Sequence, residues 1–304
     1  MHRAFHLWML LGLAGGLSAA VPEIVPQQVA PVNGPEHFQP SGLAVVDGAL
    51  FTVSDKHDQA IYALTLADGE CTARPVLEIT GLAETRKLDL EGLVTDGAGG
   101  FFVVSEEHCR LLHVPAAGDA KWLTPDLRND PAVQSAGLLV KHNACFEGLA
   151  QLAPGDFLFA AERDPRGLVE VDLSRQPPAV SAVKMKRSPH AEEGGRKPDF
   201  ADLAVWRGRV FALVRNLSLV CELVRDPSSK KGWREGAAFS YVQTENDPRY
   251  VYTDTKYGLG EGLALDDEHL YLVFDNNDDA LASAPTDRRA RLFVFANPFA
   301  TPAK

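Results

Sequence analysis

Residues 91–106 read EGLVTDGAGGFFVVSE, and four other segments of this 304-residue chain follow the same pattern. Each segment has a small-residue start, an apolar run, a Gly/Asp turn and a second apolar run that ends in polar residues. The five copies recur every 50 to 60 residues and begin at Ser41, Glu91, Glu147, Ala201 and Glu261. A repeat of this length predicts an architecture built from similar supersecondary units.

Each copy predicts a β-hairpin followed by further strands. Runs such as Phe101–Val104 are too short for helices and are rich in β-branched and aromatic residues. Turns such as Asp96-Gly97 are typical of hairpins. A third apolar run follows every hairpin, for example Ile61–Leu64, and some copies add a fourth, such as Pro75–Ile79 and Phe239–Val242. Four strands in about 50 residues are typical of a β-propeller blade.

We therefore predict an all-β protein, a β-propeller of five four-stranded blades. The last copy leaves room for three strands, so a segment around Glu23–Val32 is expected to supply the fourth and close the ring. Six blades would result if the stretch 230–256 held an unmatched blade. An open β-sandwich is the alternative architecture, but regular repetition favours radial symmetry.

The N-terminal 20 residues predict a signal peptide. Arg3 precedes an apolar core over Leu7–Leu17, and small residues lead to Val21. An N-terminal anchor helix is the alternative. We expect a single domain over residues 21–304, periplasmic or secreted, monomeric and without a membrane span after cleavage.

Composition excludes several classes of protein. The chain is 45% hydrophobic, too apolar for a disordered protein. Its net charge is −11, without a dense Lys/Arg cluster, so nucleic-acid binding is not expected. Cys71, Cys109, Cys145 and Cys221 lack the close spacing of zinc ligands. Buried thiols or disulfides remain open, and Cys109–Cys145 is the predicted pair because both fall near the same face of adjacent copies.

The polar residues at the two ends of each hairpin are expected on one face. A hairpin begins and ends on the same side, and the first strand of a blade is innermost. The start positions hold Ser41, Glu91, Glu147, Ala201 and Glu261, and the end positions hold Asp55, Glu106, Glu162, Arg215 and Asp275. These residues should ring the mouth of a central channel.

Such a group of carboxylates predicts a hard cation with several oxygen ligands. Calcium fits best because it accepts six to eight oxygens in irregular geometry, and magnesium is the second choice. Alternatively, each start-position glutamate caps its own turn, and Arg163 and Arg215 pair with the end-position acids. The predicted metal ligands are Glu91, Glu106, Glu147, Glu162, Glu261 and Asp275.

Several segments together resemble the phytase-like propellers, a family described by the esterase-like activity of phytase. They are LDLEGL from Leu88, FEGLA from Phe146, ERDPRG from Glu162 and LVFDNN from Leu272. The ERDPRG segment is also similar to the SdiA-regulated, YjiK-like propellers of bacterial envelopes. The resemblance implies an exported calcium-binding propeller with phosphoesterase or esterase activity. It points to Glu91, Glu147 and Glu261, with Glu106, Glu162 and Asp275 behind them.

The fourth copy departs from this pattern. It has Ala201-Asp202-Leu203 where Glu-Gly-Leu is expected, and Arg215 in place of an acid. That blade therefore lacks a start-position ligand, which argues against a fully symmetric metal site.

Two functions follow as hypotheses. In the first, calcium polarises a small-molecule ester or phosphoester, a free glutamate or His108 takes the proton, and Arg163 or Arg215 holds an anionic substrate. The catalytic set is then Glu91, Glu147, Glu261, His108, Arg163 and Arg215. His57 occupies the position equivalent to His108, and both could instead be exposed loop histidines. In the second, a non-catalytic envelope propeller carries a structural calcium and binds a ligand or partner, because no nucleophile–base pair is evident.

Overall fold

The computed structural model describes residues 20–83, 86–141, 143–192, 195–228, 232–254 and 258–300. Apart from Ala20, the predicted signal peptide lies outside these residues. Strands dominate the described part, and its α-helices are short: α1 covers Pro131–Ala136 and α2 covers Val242–Glu245. None of these helices is long and apolar enough to span a membrane.

Three sheets each contain four antiparallel strands in chain order. The first comprises β6 (Leu90–Thr95), β7 (Phe101–Ser105), β8 (Arg110–Val114) and β9 (Lys121–Trp122). The second comprises β10 (Phe146–Ala153), β11 (Asp156–Ala161), β12 (Gly167–Asp172) and β13 (Ala179–Lys184). The third comprises β14 (Asp202–Trp206), β15 (Arg209–Val214), β16 (Leu219–Asp226) and β17 (Gly232–Ser240).

A fourth sheet contains eight strands and joins the two ends of the chain. One half is formed by β2 (Pro40–Val46), β3 (Ala49–Ser54), β4 (Ala60–Ala67) and β5 (Glu70–Glu78). The other half is formed by β18 (Gly260–Leu265), β19 (His269–Phe274), β20 (Arg291–Ala296) and the N-terminal β1 (Pro26–Asn33). Strand β1 pairs antiparallel with β20 and parallel with β5, so it connects the halves.

The first strands of the five repeats lie side by side in a circle. Strand β2 contacts β6, β6 contacts β10, β10 contacts β14, β14 contacts β18, and β18 contacts β2. Glycines allow this approach: a Cβ atom on Gly92 would lie 2.6 Å from the backbone nitrogen of Leu149, and one on Gly42 would lie 2.6 Å from the carbonyl oxygen of Glu91. The repeated Gly of the sequence pattern is therefore a requirement of backbone packing.

The hydrophobic core lies between the faces of neighbouring sheets. Val53 of β3 and Leu93 of β6 belong to one buried cluster, and Val104 of β7 and Phe146 of β10 belong to the next. Apolar side chains alternate along each strand and pack against the neighbouring sheet. The core therefore consists of several layers between sheets rather than one central cluster. The arrangement is an all-β, propeller-like fold.

Two boundaries differ from the expectations. The run predicted as a fourth strand to Val242 ends as β17 at Ser240, and Val242 begins α2 instead. The closing strand begins at Pro26 rather than Glu23, and Glu23 forms an isolated bridge with Ser240.

Candidate functional site

A cleft of about 1330 Å³ opens on the face where the hairpins start and end. It is lined by nine of the ten start and end positions and by Arg163. The nine are Ser41, Asp55, Glu91, Glu106, Glu147, Glu162, Arg215, Glu261 and Asp275. Because the inner strands meet in a circle, residues up to 234 positions apart in the sequence line the same cleft.

A β-bulge lies at the start of four of the five hairpins. The pairing register shifts between Leu90 and Leu93 in β6, between Phe146 and Gly148 in β10, and between Gly260 and Gly262 in β18. A similar shift occurs in β2. A bulge changes the direction of the side chain that it carries, and bulges are enriched next to active sites. Each predicted glutamate of the start positions sits on such a bulge.

The carboxylates of Glu91 and Glu147 lack partners. Among the described residues, neither has a hydrogen-bond donor or an ion pair. Burial raises the pKa of Glu91 well above its ordinary value, and the charge of Glu147 raises it further. Burial also raises the pKa of Glu147 well above its usual range, although the Arg215 guanidinium lowers it in part. Both carboxylates therefore favour a proton or a cation.

Glu106 and Glu162 are positioned by one backbone segment. Oε1 of Glu106 accepts a hydrogen bond from the Cys145 N–H (3.1 Å), and the Glu162 N–H donates to the Cys145 carbonyl (3.0 Å). Cys145 forms the predicted disulfide with Cys109. The side chain of Glu162 is 0% exposed and contacts Arg163 through Oε1, whereas its Oε2 is buried without a partner.

Arg215 is the end-position residue that the fourth repeat contributes to the cleft. Its Nη2 lies 2.5 Å from Oε1 of Glu162, and its Nη1 lies 2.5 Å from Oε1 of Glu261. Its Nε donates to Oδ2 of Asp199 (3.0 Å). One guanidinium thus forms ion pairs with three carboxylates from distant parts of the chain. The expectation that an arginine pairs with end-position acids applies to Glu162, and the structure adds Asp199 and Glu261.

The cleft floor therefore divides into two parts. On one side, Arg215 supplies the positive charge. On the other side, two trios have carboxylate oxygens within 4.8 Å of one another: Asp89, Glu91 and Glu106, and Glu106, Glu147 and Glu162. We call the five residues of these trios the carboxylate floor. Its oxygens suit a hard cation, and the free Oε2 of Glu162 is a buried acceptor available to one.

Other predicted residues lie at the edge of the site or outside it. Burial raises the pKa of Asp275 to about 8, and the charge of Glu261 adds to this shift. Arg163 lies at the rim, about one third exposed, and its Nη2 donates to the Asn143 carbonyl (3.1 Å). His108 is not among the described residues that line the cleft, and its ring packs 5.2 Å from that of Trp122. His57 is also outside, bound to the Glu36 carbonyl.

Sequence reasoning missed three acids of the site. Asp89 lies two residues before Glu91, just outside β6 and at a positive φ of 53°, and the Lys87 ammonium lies 2.9 Å from its Oδ1. Asp199 lies just before the fourth repeat. For both, the only signal was proximity to the start of a repeat.

Asp202, the third missed acid, replaces the repeated glycine and lies at the centre of the circle of inner strands. It is 0% exposed. Its Oδ2 accepts hydrogen bonds from the N–H groups of Leu263 (2.8 Å) and Leu43 (3.3 Å), so it joins β14 to β18 and β2. Burial raises its pKa well above the ordinary value, although these N–H groups oppose the shift. Asp202, which departs from the repeat pattern, therefore has a structural role: its hydrogen bonds connect three inner strands at the centre of the fold.

Several solved structures are similar to this chain. The glutaminyl cyclase of Myxococcus xanthus has a TM-score of 0.50 at 14% identity, over 91% of this chain and 99% of that chain. A putative gluconolactonase has a TM-score of 0.47 at 10% identity, over 90% and 94%. The PQQ-bound aldose sugar dehydrogenase of Streptomyces coelicolor has a TM-score of 0.45 at 14% identity, over 91% and 99%. At 14% identity, the similarity to the glutaminyl cyclase concerns the fold alone.

No curated protein matches the chain. A family model, "Phytase-like: Esterase-like activity of phytase", matches residues 39–205. That range includes the first three repeats and begins the fourth, and it contains the whole carboxylate floor. The match agrees with the resemblance carried by the LDLEGL, FEGLA and ERDPRG segments. The chain belongs to the phytase-like family.

Proposed function

We propose that this chain is an exported, calcium-binding propeller of five four-stranded blades that hydrolyses a phosphate or carboxylic ester at the cleft. The observation that carries the proposal is the carboxylate floor, where Glu91, Glu147 and Oε2 of Glu162 are buried and have no hydrogen-bond or ion-pair partner among the described residues. A monomer acting on a small molecule in the periplasm or outside the cell, with no nucleic-acid partner, completes the proposal. The relation to YjiK-like propellers stays a prediction.

The charge distribution supports a cation on one side of the cleft only. Arg215 already forms ion pairs with Glu261, Asp199 and Oε1 of Glu162. In the floor, Lys87 pairs with Asp89, and Arg163 and Arg215 pair with Glu162, whereas no described residue forms an ion pair with Glu91 or Glu147. Oxygen ligands in this number favour Ca²⁺, with Mg²⁺ second. Of the predicted ligands, Glu91, Glu106, Glu147 and Glu162 would hold the ion, and Glu261 and Asp275 would lie beside it.

The residues of the chain then take distinct roles. When bound, Ca²⁺ supplies the positive charge that polarises an ester oxygen and favours ionisation of water. Whichever of Glu91 and Glu147 does not bind the ion accepts the proton, since burial raises the pKa of both carboxyl groups. Arg163, at the rim, is exposed enough to hold an anionic group of the substrate. Arg215 positions Glu162 and Glu261 through its ion pairs.

The test is hydrolysis of nitrophenyl phosphate, bis-nitrophenyl phosphate, nitrophenyl acetate and phytate by metal-stripped protein, with and without added calcium. We expect calcium to restore turnover and Glu147→Gln and Glu91→Gln to reduce it by at least about 100-fold. Glu222→Gln is the matched control, because Glu222 pairs with Arg209 outside the cleft. Full activity in folded Glu91→Gln and Glu147→Gln proteins would contradict the proposed mechanism.

The alternative is a non-catalytic propeller with a structural calcium. The observation that favours it is the chemistry of the lining: among the described residues, no histidine or cysteine faces the cleft, and the Ser41 hydroxyl donates to the Leu90 carbonyl (2.6 Å). Calcium-dependent stabilisation with no turnover on any ester would identify this function.

A further inference from the structure

We propose that Asp58 is a positioning residue of the carboxylate floor, which holds the backbone that aims the carboxylates of Asp89 and Glu91. Asp58 lies in the connection between β3 and β4 and is not among the described residues that line the cleft. It therefore acts on the floor through the backbone of another repeat. The inference rests on the proposed function for one point, that the cation held by the aimed carboxylates is calcium.

Asp58 accepts hydrogen bonds from two consecutive N–H groups of the segment that precedes β6. Its Oδ2 is bonded to the N–H of Leu88 and to the N–H of Asp89 (3.3 Å). Its Oδ1 accepts from the Gln59 side chain (2.7 Å), which fixes the carboxylate in this orientation. Asp58 is 7% exposed, so water competes little for these bonds, and a charged acceptor strengthens them. One carboxylate of the first repeat thus fixes the backbone just before the second.

The backbone held in this way has a conformation that few residues other than glycine adopt. Asp89 has a φ of 53°, in the left-handed region. Such a conformation persists where surrounding bonds hold it, and the carbonyl of Asp89 is also bonded, to the N–H of Glu106 (2.8 Å). In this arrangement the carboxylate oxygens of Asp89, Glu91 and Glu106 lie within 4.8 Å of one another. Release of the turn would separate them.

The same place is bridged at the next boundary between repeats, where the bridge is the disulfide. Asp58 lies three residues after the end position of the first repeat, and Asp89 lies two residues before the start position of the second. One repeat later, these two places hold Cys109 and Cys145, which are bonded to each other. A carboxylate-to-backbone link at one boundary thus corresponds to a covalent link at the next.

A third boundary has a link made by another buried acid. Ser218 lies three residues after the end position of the fourth repeat, and Leu259 lies two residues before the start position of the fifth. Glu245 of α2 joins them, because its Oε2 accepts from the Ser218 hydroxyl and its Oε1 accepts from the Leu259 N–H (3.0 Å). Glu245 is also shielded from water, at 9% exposed. Three different chemistries therefore link the same two places.

These links occur at the boundaries that precede the three start-position glutamates. At the other two boundaries, the equivalent pairs are Pro165 with Asp199 and Asp278 with Gln39. Among the described residues, neither pair is joined by a hydrogen bond or a disulfide. A link that only closed the ring of sheets would be needed at every boundary. Its restriction to the repeats that begin with glutamate is expected if it holds those side chains in place.

The test is calorimetric titration of metal-stripped protein with calcium. We expect Asp58→Ala to weaken calcium binding by about tenfold, as for residues that orient a metal ligand. Asp58→Asn should stay within about threefold of the wild type, because its amide oxygen still accepts the N–H bonds. The matched control is Asp266→Ala, since Oδ1 of Asp266 also accepts two N–H groups, those of Glu268 (2.8 Å) and His269 (2.6 Å), outside the cleft lining.

Hydrogen exchange in EDTA measures the positioning without the metal. The N–H groups of Leu88 and Asp89 should exchange at least about tenfold faster in Asp58→Ala than in the wild type. The N–H of Cys145, which is held by Glu106 instead, should keep its rate. A crystal structure of metal-free Asp58→Ala should show the Asp89 carboxylate displaced from that of Glu106.

Several results would overturn the proposal. They are unchanged exchange at Leu88 and Asp89, equal calcium affinity of Asp58→Ala and wild type, and an equal loss in Asp266→Ala. If Asp58→Ala does not fold, Asp58→Asn and Asp58→Glu decide: the first keeps the acceptor without the charge, and the second keeps the charge but displaces the acceptor. A loss of affinity in Asp58→Asn alone would then contradict the proposal, and a loss in Asp58→Glu alone would support it.

The failure of the proposed function can be told apart from the failure of this inference. If the wild type binds no calcium, the proposed function fails. The exchange rates of Leu88 and Asp89 and the position of the Asp89 carboxylate in the metal-free variant still decide whether Asp58 positions the floor.

Discussion

At the scale of single residues, the fourth repeat shows how a departure from a pattern becomes structural. Asp202 stands where the other repeats have glycine, and its carboxylate accepts hydrogen bonds from backbone N–H groups of β14, β18 and β2. Arg215 stands where they have an acid, and it binds three carboxylates. Asp202 thus adds hydrogen bonds, and Arg215 adds ion pairs, that the residues of the regular repeat pattern would not provide at these positions.

Replacing Asp202 by Gly would restore the repeat pattern but destabilise the protein. The N–H groups of Leu263 and Leu43 would lose their acceptor in a dry position, which costs about 2–4 kcal/mol of unfolding free energy in total. Urea denaturation of wild type and Asp202→Gly measures this. Asp47→Gly, at an exposed hairpin turn, is the control. Equal stability of Asp202→Gly and wild type would show that these bonds contribute nothing.

Replacing Arg215 by Gln would leave Glu162, Asp199 and Glu261 without their shared cation. We expect metal-free Arg215→Gln to lose about 3–5 kcal/mol near neutral pH, because it breaks a buried ion-pair network from one side. Arg209→Gln, which breaks one partly exposed pair with Glu222, should cost about 1 kcal/mol or less. Similar losses in the two variants would contradict the network. Thermal and urea unfolding supply the measurement.

At the scale of elements, the connections between strands position the functional groups more than the strands do. The bulges in β6, β10 and β18 direct the start-position glutamates, and the disulfide ties the β7–β8 connection to the start of β10. Cys145 contributes its N–H to Glu106 and its carbonyl to Glu162. The disulfide thus holds the backbone that aims two acids of the floor.

Removing the disulfide should weaken calcium binding as well as stability. Cys109→Ala/Cys145→Ala is expected to lose about 2–5 kcal/mol of unfolding free energy. Calcium affinity should fall by about tenfold, as for residues that orient a ligand. Cys71→Ala/Cys221→Ala is the matched control, since both thiols are buried and unpaired. An unchanged calcium affinity, measured by calorimetry in the folded variant, would show that the disulfide is remote from the metal.

At the scale of the whole molecule, the circle of inner strands gathers ten hairpin ends on one face, and β1 joins the last sheet to the first. This closure concentrates carboxylates that lie far apart in sequence. The concentration also links the stability of the whole fold to pH, because buried carboxyl groups repel one another when ionised.

The metal-free protein should become less stable as pH rises. The raised pKa values of Glu91, Glu147 and Asp275 (the last about 8) mean that the folded state binds protons more tightly than the unfolded chain. This stabilisation is fully present below the ordinary carboxyl pKa and is lost as pH rises through the raised values. In EDTA, Tm should therefore fall from about pH 5 to about pH 8.

Calcium should restore Tm more at the upper end of this range, since its ligands must be deprotonated. Glu91→Gln/Glu147→Gln should flatten the slope in EDTA. A Tm that rises with pH in the metal-free wild type would contradict the raised pKa values.

The sequence by itself determined the repeating hairpins, the glycines of the inner strands and the polar hairpin ends, because strand periodicity and turn chemistry are local properties of the chain. It also pointed to Glu91, Glu147 and Glu162 as neighbours, since a hairpin begins and ends on the same side. Only the tertiary structure decided how the charges pair. Which acids pair with Arg215 and why Asp202 lies at the centre depend on distances between distant segments, and no local pattern encodes those distances.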